Sequence, residues 1–261
     1  MPATHQPRVP AWPPKSAPRL FVAETLAAGA AVRIEGNPAH YLARVMRAGP
    51  GDVVILCDDV TGEWAARVSE IGKRDVVLEV AEMLRPREAV PDLWLCPALL
   101  KKDRFDLILE KATELGTARI QPLVTRRCVA DKLNLERARS ITTEAAEQCA
   151  RTALPELAEP VKLAELLASW PEDRALFFAD ENAKEQGGEP ASQAFAAHAL
   201  ATDGGPAAIL TGPEGGFDEA ERAAIRAHPA ARPITLGPRI LRGETAAIAA
   251  LAVWMASAGD W

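Results

Sequence analysis

The sequence has no apolar run long enough to cross a membrane. The longest, Ala246–Ala256, stops well short of the roughly 18 residues a span needs. Cysteine is scarce: Cys57, Cys96, Cys128 and Cys149 are the only four, and no CxxC pair occurs among them. The four histidines, His5, His40, His198 and His228, show neither HxH nor HExxH spacing. These absences argue against a disulfide framework and a structural zinc site, and they fit a reducing cytoplasm with no metal and no membrane partner. No charged-then-apolar leader opens the chain, because the first sixteen residues hold five prolines. Three familiar loops are also missing. There is no GxGxxG after a strand pattern, no P-loop and no GxSxG, so neither a Rossmann dinucleotide site nor a P-loop is indicated, and a small-molecule hydrolase or dehydrogenase is a distant reading.

What is present is a globular composition, 48% apolar and 25% charged, which rules out a disordered chain, a collagen and a coiled coil. At about 150 residues per domain, 261 residues make one large or two modest domains. The net charge of −6 speaks against a nucleic-acid partner, but it is unevenly spread. Residues 1–90 carry no net charge, 91–155 carry +2 and 156–261 carry −8. The first two thirds therefore retain the means to present a basic face.

Residues 1–16 are Pro-rich and aperiodic and are expected to form a flexible tail, with Trp12 its one residue suited to docking. Strands are expected at Arg19–Val22, Ala31–Glu35, Asp52–Cys57, Glu63–Ile71 and Asp75–Ala81, with a short helix over Pro38–Ala48 stopped by Gly49-Pro50-Gly51. That pattern suggests a small β-barrel over 17–86, followed by a linker, Arg85–Pro91. The rhythm then changes over 91–261. Strands at Leu93–Leu99, Ile120–Val124, Ala175–Ala179, Ala207–Thr211 and Pro233–Leu236 alternate with helices at Asp103–Leu115, Asn134–Ala153, Lys162–Ser169, Ala191–Leu200, Asp218–Ala227 and Glu244–Ser257. Such alternation implies a mostly parallel α/β sheet. The last helix is apolar nearly all round and is expected to be buried on more than one side.

Two loops stand out. Ile209–Phe217 (ILTGPEGGF) and Thr235–Thr245 (TLGPRILRGET) each put Gly-Pro directly after a short apolar strand and then enter a helix. In open α/β sheets, ligands bind outside the carboxyl ends of strands. Glycine admits close backbone approach and proline stiffens the loop. Each loop alone is also an ordinary tight turn; the matched pair makes a ligand site the stronger reading.

The pair TGPEGGF (211–217) and LGPRILRGETA (236–246) resembles the signature motifs of the SPOUT methyltransferases, in the wording of the bacterial 16S rRNA (uracil-N3)-methyltransferase family. His40–Arg47 with Gly49-Pro50-Gly51, Glu110–Gly116, Pro122–Cys128, Glu147–Arg151 and Pro155-Glu156 resemble further blocks of that family. The likeness runs from about Arg19 to the C-terminus. It implies a PUA-like N-terminal β-barrel that helps bind RNA, and a C-terminal parallel sheet with a deep trefoil knot, a rare exception to unknotted chains. It also implies S-adenosylmethionine as cofactor, 16S ribosomal RNA of the small subunit as partner, and a homodimer. One departure is Gly243, which stands where the family often has threonine.

The resemblance places the cofactor on Leu210, Thr211, Gly212, Pro213, Glu214, Gly215, Gly216, Leu236, Gly237, Ile240 and Leu241. Plain core packing is the competing role for Leu236, Ile240 and Leu241. Uracil N3 carries a weakly acidic proton that must leave, so a base or a nearby cation is needed. Arg239, Arg242 and Glu244 flank the second loop and are the candidates; Glu244 alternatively serves the helix dipole. For RNA, the expected contacts are Arg19, His40, Arg44, Arg47, Arg126, Arg127 and Arg151, with Arg44 and Arg47 three apart on one helical face. Each of these is otherwise a solvated surface residue. His40 and Tyr41 are alternatives for stacking on a base, against Tyr41 packing under its helix. Two other activities remain open: a SPOUT enzyme acting on a ribose 2′-OH or a tRNA base, and an inactive RNA-binding protein, for which Gly243 is the one hint.

Overall fold

The computed structural model describes residues 13–14, 17–180 and 188–261. The expected tail, including Trp12, falls almost wholly outside the described residues. The chain divides into two units, Met1–Glu88 and Ala89–Trp261.

The first unit is a five-stranded sheet in the order β1-β3-β4-β5-β2. Its strands are β1 (Arg19–Phe21), β2 (Ala31–Glu35), β3 (Val53–Cys57), β4 (Gly62–Ile71) and β5 (Asp75–Pro86). All pairs are antiparallel except β1 with β3. Alternate residues such as Val32 and Ile34 point inward and join Leu56, Val68 and Leu78 in one core. Strand β5 runs on through Arg85 and Pro86, so those residues belong to the sheet and not to the expected linker. Two carboxylates tie the loops. Glu63 is 5% exposed and lies between Arg19 and Arg85, whose Nε atoms are 2.8 and 2.5 Å from its oxygens. Asp58 accepts the N–H groups of Leu26, Val60, Thr61 and Gly62 at 2.7 to 3.1 Å. Burial pushes the Asp58 carboxyl up, but these donors, led by Leu26, outweigh it and hold the pKa down at about 2.

The short helix differs from expectation. Helix α1 (Gly36–His40) passes into one wider turn, Tyr41–Val45, closed by Met46 N–H on the Tyr41 carbonyl at 2.9 Å. Arg47 then takes φ 55°, and Ala48 N–H closes on the Leu42 carbonyl at 3.0 Å. The chain has left the helix by Arg47, so Arg44 and Arg47 do not share a helical face. Leu42, fully buried, takes the core position; Tyr41 remains 38% exposed.

The second unit carries a seven-stranded, all-parallel sheet in the order β12-β14-β11-β13-β6-β7-β9. In chain order the elements are β6 (Leu93–Pro97), α2 (Lys102–Glu114), β7 (Arg119–Ile120), β8 (Leu123–Val124), α3 (Leu135–Cys149), β9 (Glu156–Leu157), β10 (Val161–Lys162), α4 (Leu163–Ala168), β11 (Ala175–Ala179), β12 (Glu189–Pro190), α5 (Ala191–Thr202), β13 (Ala207–Thr211), α6 (Glu219–Ala227), β14 (Ala231–Thr235) and α7 (Gly243–Ala258). The expected strand Ile120–Val124 is two: Pro122, which has no N–H to give a ladder, separates β7 from β8, and β8 pairs with β10 instead. Helix α3 ends at Cys149, with Ala150 left-handed at φ 62°, short of the expected Ala153.

Both faces of the sheet are covered. Leu93, Leu95, Phe177, Ala207 and Ile209 face one core together with α2, α5 and α7; their strand neighbours Cys96, Leu176, Phe178, Ala208 and Leu210 face the other with α4 and α6. That two-sided burial is why β11 and β13 read as continuous apolar runs. Helix α7 buries Ala247, Ala250, Leu251, Trp254 and Met255, while Ile248, Ala249, Ala252 and Val253 are partly exposed.

Candidate active site

The sheet order puts β14, β11 and β13 side by side, so their carboxyl ends meet. Here the two Gly-Pro loops enclose a cavity of about 310 Å³, within the roughly 300–1,000 Å³ of small-molecule sites. Gly212, Pro213, Glu214, Gly216, Leu236, Gly237, Ile240 and Leu241 line it, as do Arg239 and Arg242. Three residues expected to hold the cofactor do not line this cavity. Leu210 and Thr211 are buried within β13, and the Thr211 carbonyl accepts Ala98 N–H at 2.9 Å. Gly215 turns to Arg127, whose Nη1 donates to its carbonyl at 2.9 Å. Asp180 at the end of β11 and Arg222 of α6 also line it, and neither was singled out from the sequence. Their proximity depends on strand order, which no local pattern carries.

The loop glycines are needed for different reasons. A Cβ at Gly212 would lie 2.9 Å from Cε2 of Phe217, a ring 4% exposed that packs edge-on against Phe178 at 5.3 Å. At Gly237 a Cβ would meet nothing within 4 Å, but φ is +102°, a conformation L side chains rarely adopt. At Gly243 a Cβ would lie 3.0 Å from Leu100 Cδ2 and 3.2 Å from the Gly212 carbonyl. The residue at 243 thus touches the first loop, and glycine lets the two loops close.

Charged groups brace this framework. Asp218 caps α6 by accepting Glu221 N–H at 2.7 Å, and the Glu221 carboxylate returns to Asp218 N–H at 3.1 Å. That backbone donor holds the Asp218 carboxyl below the ordinary carboxylate value. Arg126 joins the same knot of bonds: its N–H donates to Glu221 at 2.8 Å and its Nη1 to Asp218 at 2.9 Å. Buried Asp180 accepts Arg226 Nη2 at 2.6 Å and lies 3.6 Å from Arg222 Nε.

Arg239 and Arg242 are exposed and make no ion pair among the described residues, so both are available to an anion. Glu244 is not among the lining residues. Its carboxylate pairs with Arg104 of α2, with its side chain 12% exposed. This removes Glu244 as a group facing the cavity. Arg151 also differs from expectation. It is 4% exposed, and its Nη1 and Nη2 donate to the carbonyls of Thr113 and Thr117 at 2.8 Å each. It staples the end of α2 and is not a surface cation for RNA. Arg19 is spent on Glu63. His40, Arg44, Arg126 and Arg127 are exposed.

A family model described as an RNA methyltransferase domain matches residues 86–255, and one described as an RNA methyltransferase PUA domain matches 34–81. The chain is 33% identical over 241 residues to the ribosomal RNA small subunit methyltransferase E of Synechocystis sp., covering 90% of this chain and 76% of the relative. With that of Mycobacterium bovis it is 30% identical over 260 residues, covering 92% and 95%. The chain belongs to the ribosomal RNA small subunit methyltransferase E family. The family member of Neisseria gonorrhoeae, solved bound to S-adenosyl methionine, superposes with a TM-score of 0.80 at 28% identity, covering 94% of this chain and 99% of that one. A methyltransferase of Legionella pneumophila solved with the same cofactor gives 0.78 at 27% identity, with the same coverage.

The residues at the cavity suit that family's cofactor. The wall combines the backbone of Gly212, Gly216 and Gly237 with the apolar side chains of Ile234, Leu236 and Leu241. Backbone groups suit an adenine edge, and the apolar side chains suit the ring faces and the methylene chain beside the sulfonium. No group of three or more potential metal ligands occurs among the described residues.

Proposed function

We propose that this S-adenosylmethionine-dependent ribosomal RNA methyltransferase acts on N3 of a uridine in 16S ribosomal RNA of the small subunit, in the cytoplasm and as a homodimer, with the two Gly-Pro loops threaded as a trefoil knot. The observation that carries the reading is the cavity itself: two matched loops at adjoining strand ends, lined by Arg239 and Arg242, which make no ion pair among the described residues. Partly exposed Ile248, Ala249 and Val253 on α7 supply the apolar flank for the dimer.

When bound, the cofactor supplies a methyl group on a sulfonium, and the protein supplies orientation and electrostatics. Gly212, Gly216, Leu236, Gly237, Ile240 and Leu241 hold it by backbone groups and apolar contact. Alignment of donor and acceptor contributes up to roughly 7–11 kcal/mol. The guanidinium groups of Arg239 and Arg242 stabilise the uracil anion as N3 loses its proton. Glu214, an exposed carboxylate in the lining, takes the proton-accepting place that Glu244 does not occupy. The target uridine must be unpaired or turned out of its stack, because N3 is hidden in a base pair.

The test is incubation with cofactor and small subunits lacking the modification, then nuclease digestion and mass spectrometry. N3-methyluridine is expected, and Arg242→Ala is expected to lower kcat while calorimetric affinity for the cofactor holds. Methylation of a ribose or another base refutes the N3 assignment. A folded protein that does not bind the cofactor refutes the enzyme reading.

A further inference from the structure

Helix α7 begins beside the cavity with little of its own to fix it there. Its N-cap is Arg242, whose side chain makes no capping bond, and Gly243 follows with no side chain at all. The Arg242 carbonyl accepts Ala246 N–H at 2.8 Å. The start of α2 meets this first turn. Leu100, 2% exposed, closes on Gly243, where a Cβ would lie 3.0 Å from its Cδ2. Arg104, in the first turn of α2, pairs with Glu244 through Nη1 and Oε1. Glu214 of the first loop reaches the same segment and accepts Lys101 N–H at 3.4 Å. The stretch Leu100–Arg104 therefore touches both Gly-Pro loops.

The Glu244 carboxylate shows how much rests on Arg104. Oε1 receives the guanidinium, while Oε2 is buried and accepts no hydrogen bond among the described residues. The N-terminal dipole of α7 favours a negative charge at this place, but a carboxylate withdrawn from water is costly once its one cation is gone. Without Arg104 the group must protonate or swing out to water. Either way the tie between α7 and α2 is lost. Glycine at 243 adds backbone freedom at the same point, so the chain itself does little to replace that tie. The Arg242 guanidinium lines the cavity one residue before Gly243, and its place follows the turn.

We propose that Arg104 is a positioning residue for methyl transfer: by holding Glu244 it fixes the first turn of α7 and, with it, the Arg242 guanidinium at the cavity. Arg104 is not among the lining residues and acts only through that turn. The proposal rests on the reading of Arg242 as the cation that stabilises the uracil anion. It gives Glu244 a part in the site although its carboxylate faces away from the cavity: it anchors the cation two residues before it. Arg104 lies 140 residues from Glu244 in the chain, and no local pattern singles it out.

The test compares Arg104→Leu, Arg104→Lys, Glu244→Gln, Arg242→Ala and the double variant Arg104→Leu/Arg242→Ala in the full-length protein. Displacing a catalytic group by about 1 Å costs on the order of 100-fold in rate, so Arg104→Leu is expected to lower kcat by about that factor while calorimetric affinity for the cofactor stays at the wild-type value. Arg104→Lys returns a cation to Glu244 and is expected to recover most of the rate. Glu244→Gln breaks the ion pair without leaving a bare buried charge and is expected to lose rate as Arg104→Leu does. Because Arg104 acts through Arg242, the double variant is expected to be no slower than Arg242→Ala alone. Hydrogen exchange read by mass spectrometry needs no activity: amides over 238–250 are expected to exchange faster in Arg104→Leu, with those of α6 at the wild-type rate. Rate losses that multiply in the double variant overturn the proposal, as does unchanged exchange over 238–250. Faster exchange throughout the sheet with a fall in cofactor affinity marks a merely structural residue and overturns it too. A wild-type protein that methylates nothing overturns the enzyme reading and the positioning role together, whereas full activity in Arg104→Leu overturns the positioning role alone.

Discussion

Gly237→Ala isolates backbone conformation from space. A Cβ there meets no atom within 4 Å, so the whole cost comes from φ +102°. Holding a non-glycine residue in such a region costs about 1–3 kcal/mol. Where that cost is felt depends on how firmly the loop is held. Gly237, Pro238, Arg239 and Ile240 are all exposed, Ile240 to 86%, and the local side-chain bond is Thr235 Oγ1 to the Gly237 carbonyl at 3.3 Å. A loop so lightly held relaxes its φ instead of destabilising the sheet. The strain then reappears when a ligand needs the original loop shape. Cofactor affinity should fall by about 5- to 150-fold, the same 1–3 kcal/mol at 1.4 kcal/mol per tenfold, with the melting temperature moving by less than about 2 °C. Calorimetric titration and thermal unfolding of the variant read both quantities. Gly212→Ala is the contrast: its Cβ meets the buried Phe217 ring at 2.9 Å, so it should lower both affinity and stability. If Gly237→Ala binds the cofactor within twofold of wild type, the loop shape is not what the ligand reads, and the assignment of Gly237 to the cofactor site is wrong.

Arg151→Ala should destabilise the protein by about 3 kcal/mol in urea unfolding, since two carbonyls lose charged donors, without changing RNA affinity of the folded fraction. Gly243→Thr places its Cβ 3.0 Å from Leu100; a loss of about 1–3 kcal/mol is expected from overpacking, with Leu100→Ala recovering part of it in a double-mutant cycle. Asp58 has its pKa lowered from 3.8 to about 2, so its ionised form stabilises the fold above pH 3.8 and that contribution is lost as pH falls through 2. Wild type should therefore exceed Asp58→Asn by roughly 1–2 kcal/mol near neutrality, the gap closing in acid, as urea midpoints across pH would show. Ala250 is fully buried, so Ala250→Asp should unfold the protein, whereas Ala249→Asp, at a partly exposed position, should leave a folded species of half the mass in sedimentation.

Local signals located nearly every long element, because periodicity and capping are properties of neighbouring residues. Asp218 was legible as an N-cap, and the structure adds its reciprocal bond with Glu221. The structure departs from the sequence expectation where a distant partner overrides a local pattern. Arg151 looks like a surface arginine after a helix until the carbonyls of Thr113 and Thr117 are seen around it. Glu244 looks free until Arg104 of α2 arrives.

The sequence by itself determined the alternation of strands and helices, the two Gly-Pro loops and the family to which they point, since each is written in contiguous residues. Tertiary structure alone decided which strand ends adjoin, and with that the entry of Asp180 and Arg222 into the cavity and the departure of Glu244 from it. It alone also brought Arg104 to the start of α7. Pairing across a sheet is fixed by burial and hydrogen bonding among segments far apart in the chain, and those forces leave no mark on a local stretch of sequence.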